Sequence, residues 1–210
     1  MPVDEVEAPP EEARQVFGAG YTTAVAFADL LASEGELRGL IGPRELPRLW
    51  TRHLLNSAAV EGFIPEGVRL ADVGSGAGFP GVVVAILRPD VDVHLVEPME
   101  RRTTWLSDVV RELELGNVTI YRARAEELDD QFDVVTARAV AALRKLVPWV
   151  GPLIVPGGRL VALKGERAAT EIEDAGKALR KHRLVDAVVH EVLVPGTDVP
   201  TRIVEARRSG

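Results

Sequence analysis

The chain of 210 residues contains no cysteine. That excludes a disulfide framework, a thiolate metal site and a thiol nucleophile, and it fits a reducing cytoplasm. Aromatic residues make up only 5% of the sequence, while the 46% hydrophobic and 27% charged fractions are ordinary for a globular protein. No excess of positive charge is present: the formal net charge is −7, so there is no global electrostatic footprint for nucleic acid. Five acids and one arginine fall in the first 20 residues, which leaves a local basic face open elsewhere. No apolar run approaches the roughly 20 residues of a bilayer span, and the acidic start is unlike a signal peptide. The expectation is a cytoplasmic protein without membrane attachment. No histidine or carboxylate cluster has metal-ligand spacing, so no metal is expected. Internal repeats are absent.

What is present reads as one α/β unit. MPVDEVEAPPEE is a frayed acidic start running into a helix, with Pro9 and Pro10 near its first turn. YTTAVAFADLLASEG, with Gly35 as its stop, and RELPRLWTRHLLNSAAVEGF carry helical patterning. Residues 1–64 thus form an N-terminal helical extension, and 65–210 a second region within the same compact unit. From Arg69 the runs RLADVG, VDVHLVE, VTIYRAR, FDVVTAR and GGRLVALKG alternate with helix-length segments. Such alternation predicts βαβ units and a mostly parallel sheet covered on both faces. LVDAVVHEVLV and TRIVEARR follow each other without a helix between them, predicting an antiparallel C-terminal hairpin at one edge.

DVGSGAGFPG follows the first strand and opens the first helix of that sheet. There the main-chain N–H groups and the positive helix end face a ligand that side chains would obstruct. Gly74, Gly76 and Gly78 permit a tight turn and close approach. The spacing G-x-G-x-G departs from the dinucleotide fingerprint G-x-G-x-x-G, because Phe79 stands where its third glycine would be. Asp72, two residues before the loop, suits a ligand with a cationic end and would repel pyrophosphate. It also suits a carboxylate that braces the loop. Glu97 ends the next strand, where it could accept both hydroxyls of a ribose. Together these favour S-adenosyl-L-methionine over a nicotinamide dinucleotide.

Ligands in such sheets lie across the C-terminal strand ends. Ala125 and Glu126 stand where an adenine would sit, although two acids at a helix start would read the same way. Arg138, directly after VVTA, falls beside the methyl-donor end or forms an ordinary ion pair; Lys164 points toward the same edge. Both border the acceptor and are the candidates for acting on it, with no catalytic residue otherwise evident. Arg52 and Asn56 at i and i+4, with His53 and Ser57 beside them, could hold RNA or form a solvated helix face. His94 and the tryptophans Trp50, Trp105 and Trp149 read as core. Arg101 and Arg102 open a helix against its dipole.

Positioning supplies much of the acceleration in methyl transfer from a sulfonium. Without cysteine, the covalent route to pyrimidine C5 is closed. The Asn-Pro-Pro-aromatic loop typical of exocyclic-amine methylation is missing, since TARAV follows the fourth strand. A ring nitrogen such as guanine N7 needs no general base, having an in-plane lone pair and no proton to lose.

DVGSGAGFPG, RHLLNS, ARAEE, ARAV and ALKG, in this order and spacing, resemble the bacterial small-subunit ribosomal RNA guanine-N7 methyltransferases, the glucose-inhibited division protein B family. The resemblance covers nearly the whole chain. It implies a Rossmann-like class I S-adenosylmethionine-dependent fold and methylation of N7 at the guanine 527 position of 16S ribosomal RNA, alone or in the small subunit. Loss of that methylation is linked to low-level streptomycin resistance. Carried over, Gly74 and Phe79 contact the cofactor, Ala125 and Glu126 flank its adenine, and Arg138 completes the pocket. The family often has aspartate where this chain has Asn56, and proline where it has Ala77. A monomer is expected. A methyltransferase of another substrate, a nicotinamide-dependent oxidoreductase and a non-catalytic cofactor sensor remain the alternatives.

Overall fold

Seven runs of β-branched and aliphatic residues form strands β1 (Arg69–Val73), β2 (Asp92–Val96), β3 (Val118–Tyr121), β4 (Phe132–Arg138), β5 (Ile154–Lys164), β6 (Leu184–Val192) and β7 (Thr201–Arg208). They make one sheet in the order β3-β2-β1-β4-β5-β7-β6. The first five pair in parallel, and β7 enters antiparallel between β5 and β6. The computed structural model describes residues 6–210, so residues 1–5 of the acidic start expected to fray lie outside the described residues.

Seven helices accompany the strands among the described residues: α1 (Ala13–Phe17), α2 (Tyr21–Glu34), α3 (Asn56–Ala58), α4 (Gly81–Leu87), α5 (Glu100–Glu112), α6 (Leu143–Val150) and α7 (Ala168–Lys181). The period of two along each strand sends neighbours to opposite faces. Leu70 joins the cluster under α4 and α5, while Ala71 and Val73 join the one under α6 and α7. Both faces are covered, which accounts for the near-continuous apolar runs in β1, β2 and β4. Strand order reverses between β1 and β4, which opens a crevice above their C-terminal ends.

The N-terminal extension completes the first of these cores. Phe17, Phe27, Leu31, Trp50 and Leu54 belong to the same cluster as Val82, Leu95 and Trp105. Trp50 meets Phe17 edge-on at 6.0 Å and stacks on Tyr21 at 6.4 Å. Glu7, in the described part of the acidic start, is well held: its carboxylate accepts the main-chain N–H groups of Trp50 and Thr51 at 2.7 and 3.0 Å.

Two expectations need correction here. The segment RELPRLWTRHLLNSAAVEGF is not one helix; it is a 3-10 stretch (Pro43–Arg48), a π-helical turn (Trp50–Leu55), the short α3 and a second 3-10 turn (Glu61–Phe63). Pro47 has no N–H to donate, and the chain leaves the α ladder around it. Secondly, the run Ala13–Glu34 is long and apolar enough, by length and composition, to cross a bilayer, contrary to the reading of its separate apolar runs. In the fold it is divided by a 3-10 turn at Gly18–Gly20 and directs Phe17, Ala24, Phe27 and Leu31 into the core.

Because one cluster spans the extension and the sheet, Trp50→Ala is expected to destabilise the whole chain by about 3–5 kcal/mol. Denaturant unfolding should remain a single transition, read identically by circular dichroism and by the fluorescence of the remaining Trp105 and Trp149. Two separated transitions would show that the extension folds as a unit of its own.

Candidate functional site

The loop after β1 carries three left-handed residues in seven: Gly74 at φ +74°, Gly76 at +56° and Gly78 at +110°. At Gly74 the close approach is visible, since a Cβ there would lie 2.6 Å from a methyl of Val140 in the loop after β4. Trp105 of α5 donates its indole N–H to the Ala77 carbonyl at 3.0 Å, which fixes the turn from outside.

Asp72 lies fully buried beneath this loop. Its Oδ2 accepts the Gly81 N–H at 2.9 Å, at the start of α4, and a Cβ at Gly81 would come within 2.6 Å of that oxygen. Oδ1 has no hydrogen-bond partner. Burial pushes the carboxyl up to about 7, against the opposing bond from Gly81. Oδ2 thus braces the loop, and Oδ1 is buried without a protein donor.

Glu97 follows β2 and is 2% exposed. Its Oε2 accepts the Gly76 N–H at 3.1 Å and its Oε1 the Met99 N–H at 3.0 Å, with the Arg102 guanidinium 3.5 Å away. Glu97 thus ties the glycine loop to the start of α5. Arg102, one of the two arginines that open α5 against its dipole, is used here. Ala125 is buried in the 3-10 turn Ala125–Glu127 after β3, whereas Glu126 is exposed.

Arg138 is mostly enclosed at the end of β4. Its Nη1 donates to the His53 carbonyl at 3.2 Å and to Ser57 Oγ at 3.0 Å. Its Nη2 donates to the Arg52 carbonyl at 3.1 Å and to His53 Nδ1 at 2.7 Å. The guanidinium lies over the Phe79 ring, 5.4 Å from its centroid. Burial lowers it to about 10, with the like charge of Arg52 adding to the effect, and it stays charged at neutral pH. An arginine only donates, so His53 Nδ1 accepts and Nε2–H donates to Glu45 at 2.8 Å. Burial and Arg138 push His53 down to about 4, leaving it neutral.

The structure therefore distributes the predicted residues among three places. Asp72, Gly74, Gly76, Gly78, Glu97 and Ala125 gather around the crevice above β1 and β2. The side chains of Phe79, His53, Ser57 and Arg138 form a knot between the loop and the extension. Asn56 donates to Thr201 Oγ1 at 2.6 Å, fastening α3 to β7, and Arg52 stands half-exposed beside Glu45. His94 is core as expected, its Nε2 paired with Asp92 at 2.9 Å. Trp50 and Trp105 are buried and Trp149 half-buried.

Beside the knot opens a cleft of about 800 Å³, lined among others by Arg48, Arg52, Val140, Lys164, Asp198 and Arg202. Lys164 does not reach into it freely: its ammonium holds the Ala141 carbonyl at 2.6 Å and Glu171 at 2.9 Å. Glu171 in turn accepts the Leu143 N–H at 2.7 Å. Together they set the loop between β4 and α6, where Ala139 takes φ +55°. The sequence did not single out Glu45, Arg48, Glu171, Asp198 or Arg202. Only the Glu45, Arg48, Arg52 spacing carried a signal, as charges three and four apart.

The family model described as GidB, rRNA small subunit methyltransferase G, matches residues 21–197. The chain belongs to this family. A curated rRNA small subunit methyltransferase G of Beutenbergia cavernae is 53% identical over 199 residues, covering 94% of each chain. One from Thermobifida fusca is 55% identical over 177 residues, 83% of this chain and 75% of that one. By fold the chain resembles an S-adenosylmethionine-dependent O-methyltransferase of Thermotoga maritima, with a TM-score of 0.57 at 19% identity over 72% of this chain and 63% of that one. It also resembles a ribosomal protein L11 methylase of Lactobacillus delbrueckii, with a TM-score of 0.57 at 14% identity over 74% and 77% of the two chains. The fold is that of class I methyltransferases, and the cofactor of this rRNA small subunit methyltransferase G family member is S-adenosyl-L-methionine.

The residues present fit that cofactor. The loop has no side chain on its glycines, and a Cβ at Gly76 would find nothing closer than 3.7 Å. Asp72 Oδ1 is a buried acceptor without a protein donor, and Glu97 directly follows the strand next to β1. When bound, the group supplies a methyl carbon made electrophilic by its sulfonium. We assign Asp72 to the cationic end, the glycines to main-chain contact and Glu97 to the ribose.

On that assignment Glu97→Ala should weaken S-adenosylmethionine binding by about 10- to 100-fold, the worth of hydrogen bonds to a charged group. Calorimetry showing wild-type affinity would remove Glu97 from the pocket. Asp72 is neutral below its elevated pKa and charged above it, and a cationic ligand prefers the charged form. Affinity should therefore rise with pH through about 7, and Asp72→Asn should flatten that part of the rise. Superimposable pH profiles for the two proteins would contradict the assignment.

Proposed function

We propose that this protein transfers a methyl group from S-adenosyl-L-methionine to N7 of a guanine in 16S ribosomal RNA, at the guanine 527 position. Membership of the rRNA small subunit methyltransferase G family supports the activity on small-subunit RNA. One observation favours a ring nitrogen as acceptor. The histidine and the lysine nearest the reacting edge are both engaged. His53 is neutral with both ring nitrogens bonded, and Lys164 is bound to Glu171 and the Ala141 carbonyl. Neither is free to accept a proton, which N7 alkylation does not require; of the charged groups lining the cleft, only the Glu166 and Asp198 carboxylates are left uncommitted among the described residues.

The chain's own residues then position rather than activate. Lys164 and Glu171 fix the loop that carries Val140 over Gly74. Arg138 holds the segment bearing Arg48 and Arg52 beside that loop, and those two half-exposed guanidiniums face solvent where RNA phosphates would pass. We take the protein to act as a monomer in the cytoplasm, on this RNA or on the small subunit assembled from it.

Mass mapping of 16S ribosomal RNA from cells with and without the gene tests this. The expected result is one N7-methylguanine lost on deletion and restored by the purified protein, with naked RNA and small subunits assayed side by side. A methyl group that maps to another atom or another base defeats the reading.

A further inference from the structure

Every cation of the cleft already has a partner. Arg48 and Arg52 each meet Glu45 at 3.1 Å. Lys164 meets Glu171 and Arg202 meets Glu191, both at 2.9 Å, and Arg138 is spent on carbonyls, Ser57 and His53. The lining also contains three carboxylates, Glu166, Glu171 and Asp198. Glu171 is used by Lys164 and by the start of α6. Among the described residues, the carboxylates of Glu166 and Asp198 have no ion pair and accept no side-chain or main-chain hydrogen bond.

A free carboxylate in a cleft that receives a polyanion repels it. A ligand that brings donors to meet it turns that repulsion into a contact. Guanine is the base whose Watson–Crick edge presents two adjacent donors, N1–H and N2–H, matching two carboxylate oxygens; adenine offers an acceptor at the corresponding ring nitrogen. Of the two free carboxylates, Asp198 is the one placed to serve. It precedes Val199, which is 69% exposed, and Pro200. The next residue, Thr201, is tied to Asn56 at 2.6 Å, so the loop is anchored directly behind Asp198 to the wall that carries Arg52. Among the described residues no aromatic side chain lines the cleft; Val199 and the 37% exposed Val140 are its exposed large aliphatic groups, and a purine face fits such surfaces. Glu166 lies in the turn after β5, with Lys164 and Arg167 close to it in the chain.

We propose that Asp198 is a specificity-determining residue that accepts N1–H and N2–H of the target guanine while Val199 lies against the ring. This rests on the guanine-N7 reading above. Methylation at N7 leaves the purine one positive charge richer, which makes N1–H a stronger donor. The bond to Asp198 therefore tightens as that charge develops, and interactions of that kind raise kcat as well as affinity.

The test uses the full-length protein with small subunits reconstituted from 16S RNA carrying either guanine or inosine at the target. Inosine keeps N7 and N1–H and lacks the N2 amino group. Wild type should prefer guanine by about tenfold or more in kcat/KM, and in RNA affinity measured without cofactor. Asp198→Ala should lower kcat/KM on guanine RNA by about 100-fold, bring the guanine-to-inosine ratio to about one in both measurements, and leave the unfolding midpoint unchanged. Glu166→Gln should keep the wild-type preference. A wild type indifferent to the N2 amino group, an Asp198→Ala protein that still discriminates, or loss of discrimination in Glu166→Gln instead would each overturn the assignment. Mass analysis of the product separates the two levels. A methyl group away from guanine N7 defeats the parent reading, whereas N7-methylguanine with an unchanged ratio defeats only the role of Asp198.

Discussion

The Arg138 guanidinium holds together the parts on which the site depends. It leaves the end of β4, takes two carbonyls of the π-helical turn, a serine hydroxyl and a histidine nitrogen, and covers the Phe79 ring of the glycine loop. Three segments far apart in the chain meet on one mostly enclosed cation. Such a charge is tolerated because both of its terminal nitrogens end on acceptors, and removing either side leaves the other without its partner. The π-helical geometry belongs to the same arrangement: the carbonyls of Arg52 and His53 are those the guanidinium takes. Glu45 extends the knot outward through His53 to Arg48 and Arg52, so the solvent-facing arginines are braced from the same point as the cofactor loop.

On the other side of the crevice, carboxylates do comparable work for the main chain. Asp72 caps the start of α4, Glu97 holds Gly76 and Met99, Glu171 caps α6, and Glu7 caps the π-helical turn. These are places where N–H groups emerge at the start of a helix or from a tight loop and would otherwise be unpaired. The net negative charge of the chain is thus spent partly in internal bracing, and a locally basic cleft wall can coexist with it.

Asp72 and Glu97 both brace main chain, and Asp72 does so with one oxygen to spare. A carboxylate has more lone pairs than a single N–H can use, and Asp72 leaves one oxygen without a protein donor. The cost of burying it is offset in part by Gly81 and is reflected in its raised pKa. A cation arriving at that oxygen would recover the remainder.

Much of this was determined by the sequence alone. The alternation of β-branched runs with helix-length segments specifies the parallel sheet, because period two and period 3.6 are local properties of adjacent residues. The glycine loop, with Asp72 before it and Glu97 one strand later, is legible for the same reason: tight turns and strand ends impose their demands over a few positions. The partner of Arg138, the tying of His53 into a knot, the seat of Val140 over Gly74 and the pairing of Lys164 with Glu171 were not legible. Arg138 and His53 are 85 residues apart in the chain, and which side chains meet across such a distance is set by how the extension docks on the sheet. The helical patterning around Pro47 did not show that the chain would leave the α ladder and resume as a π-helical turn, since the donor that takes its carbonyls lies on β4. Local periodicity determines elements and strand ends; only close packing decides which polar groups find each other there.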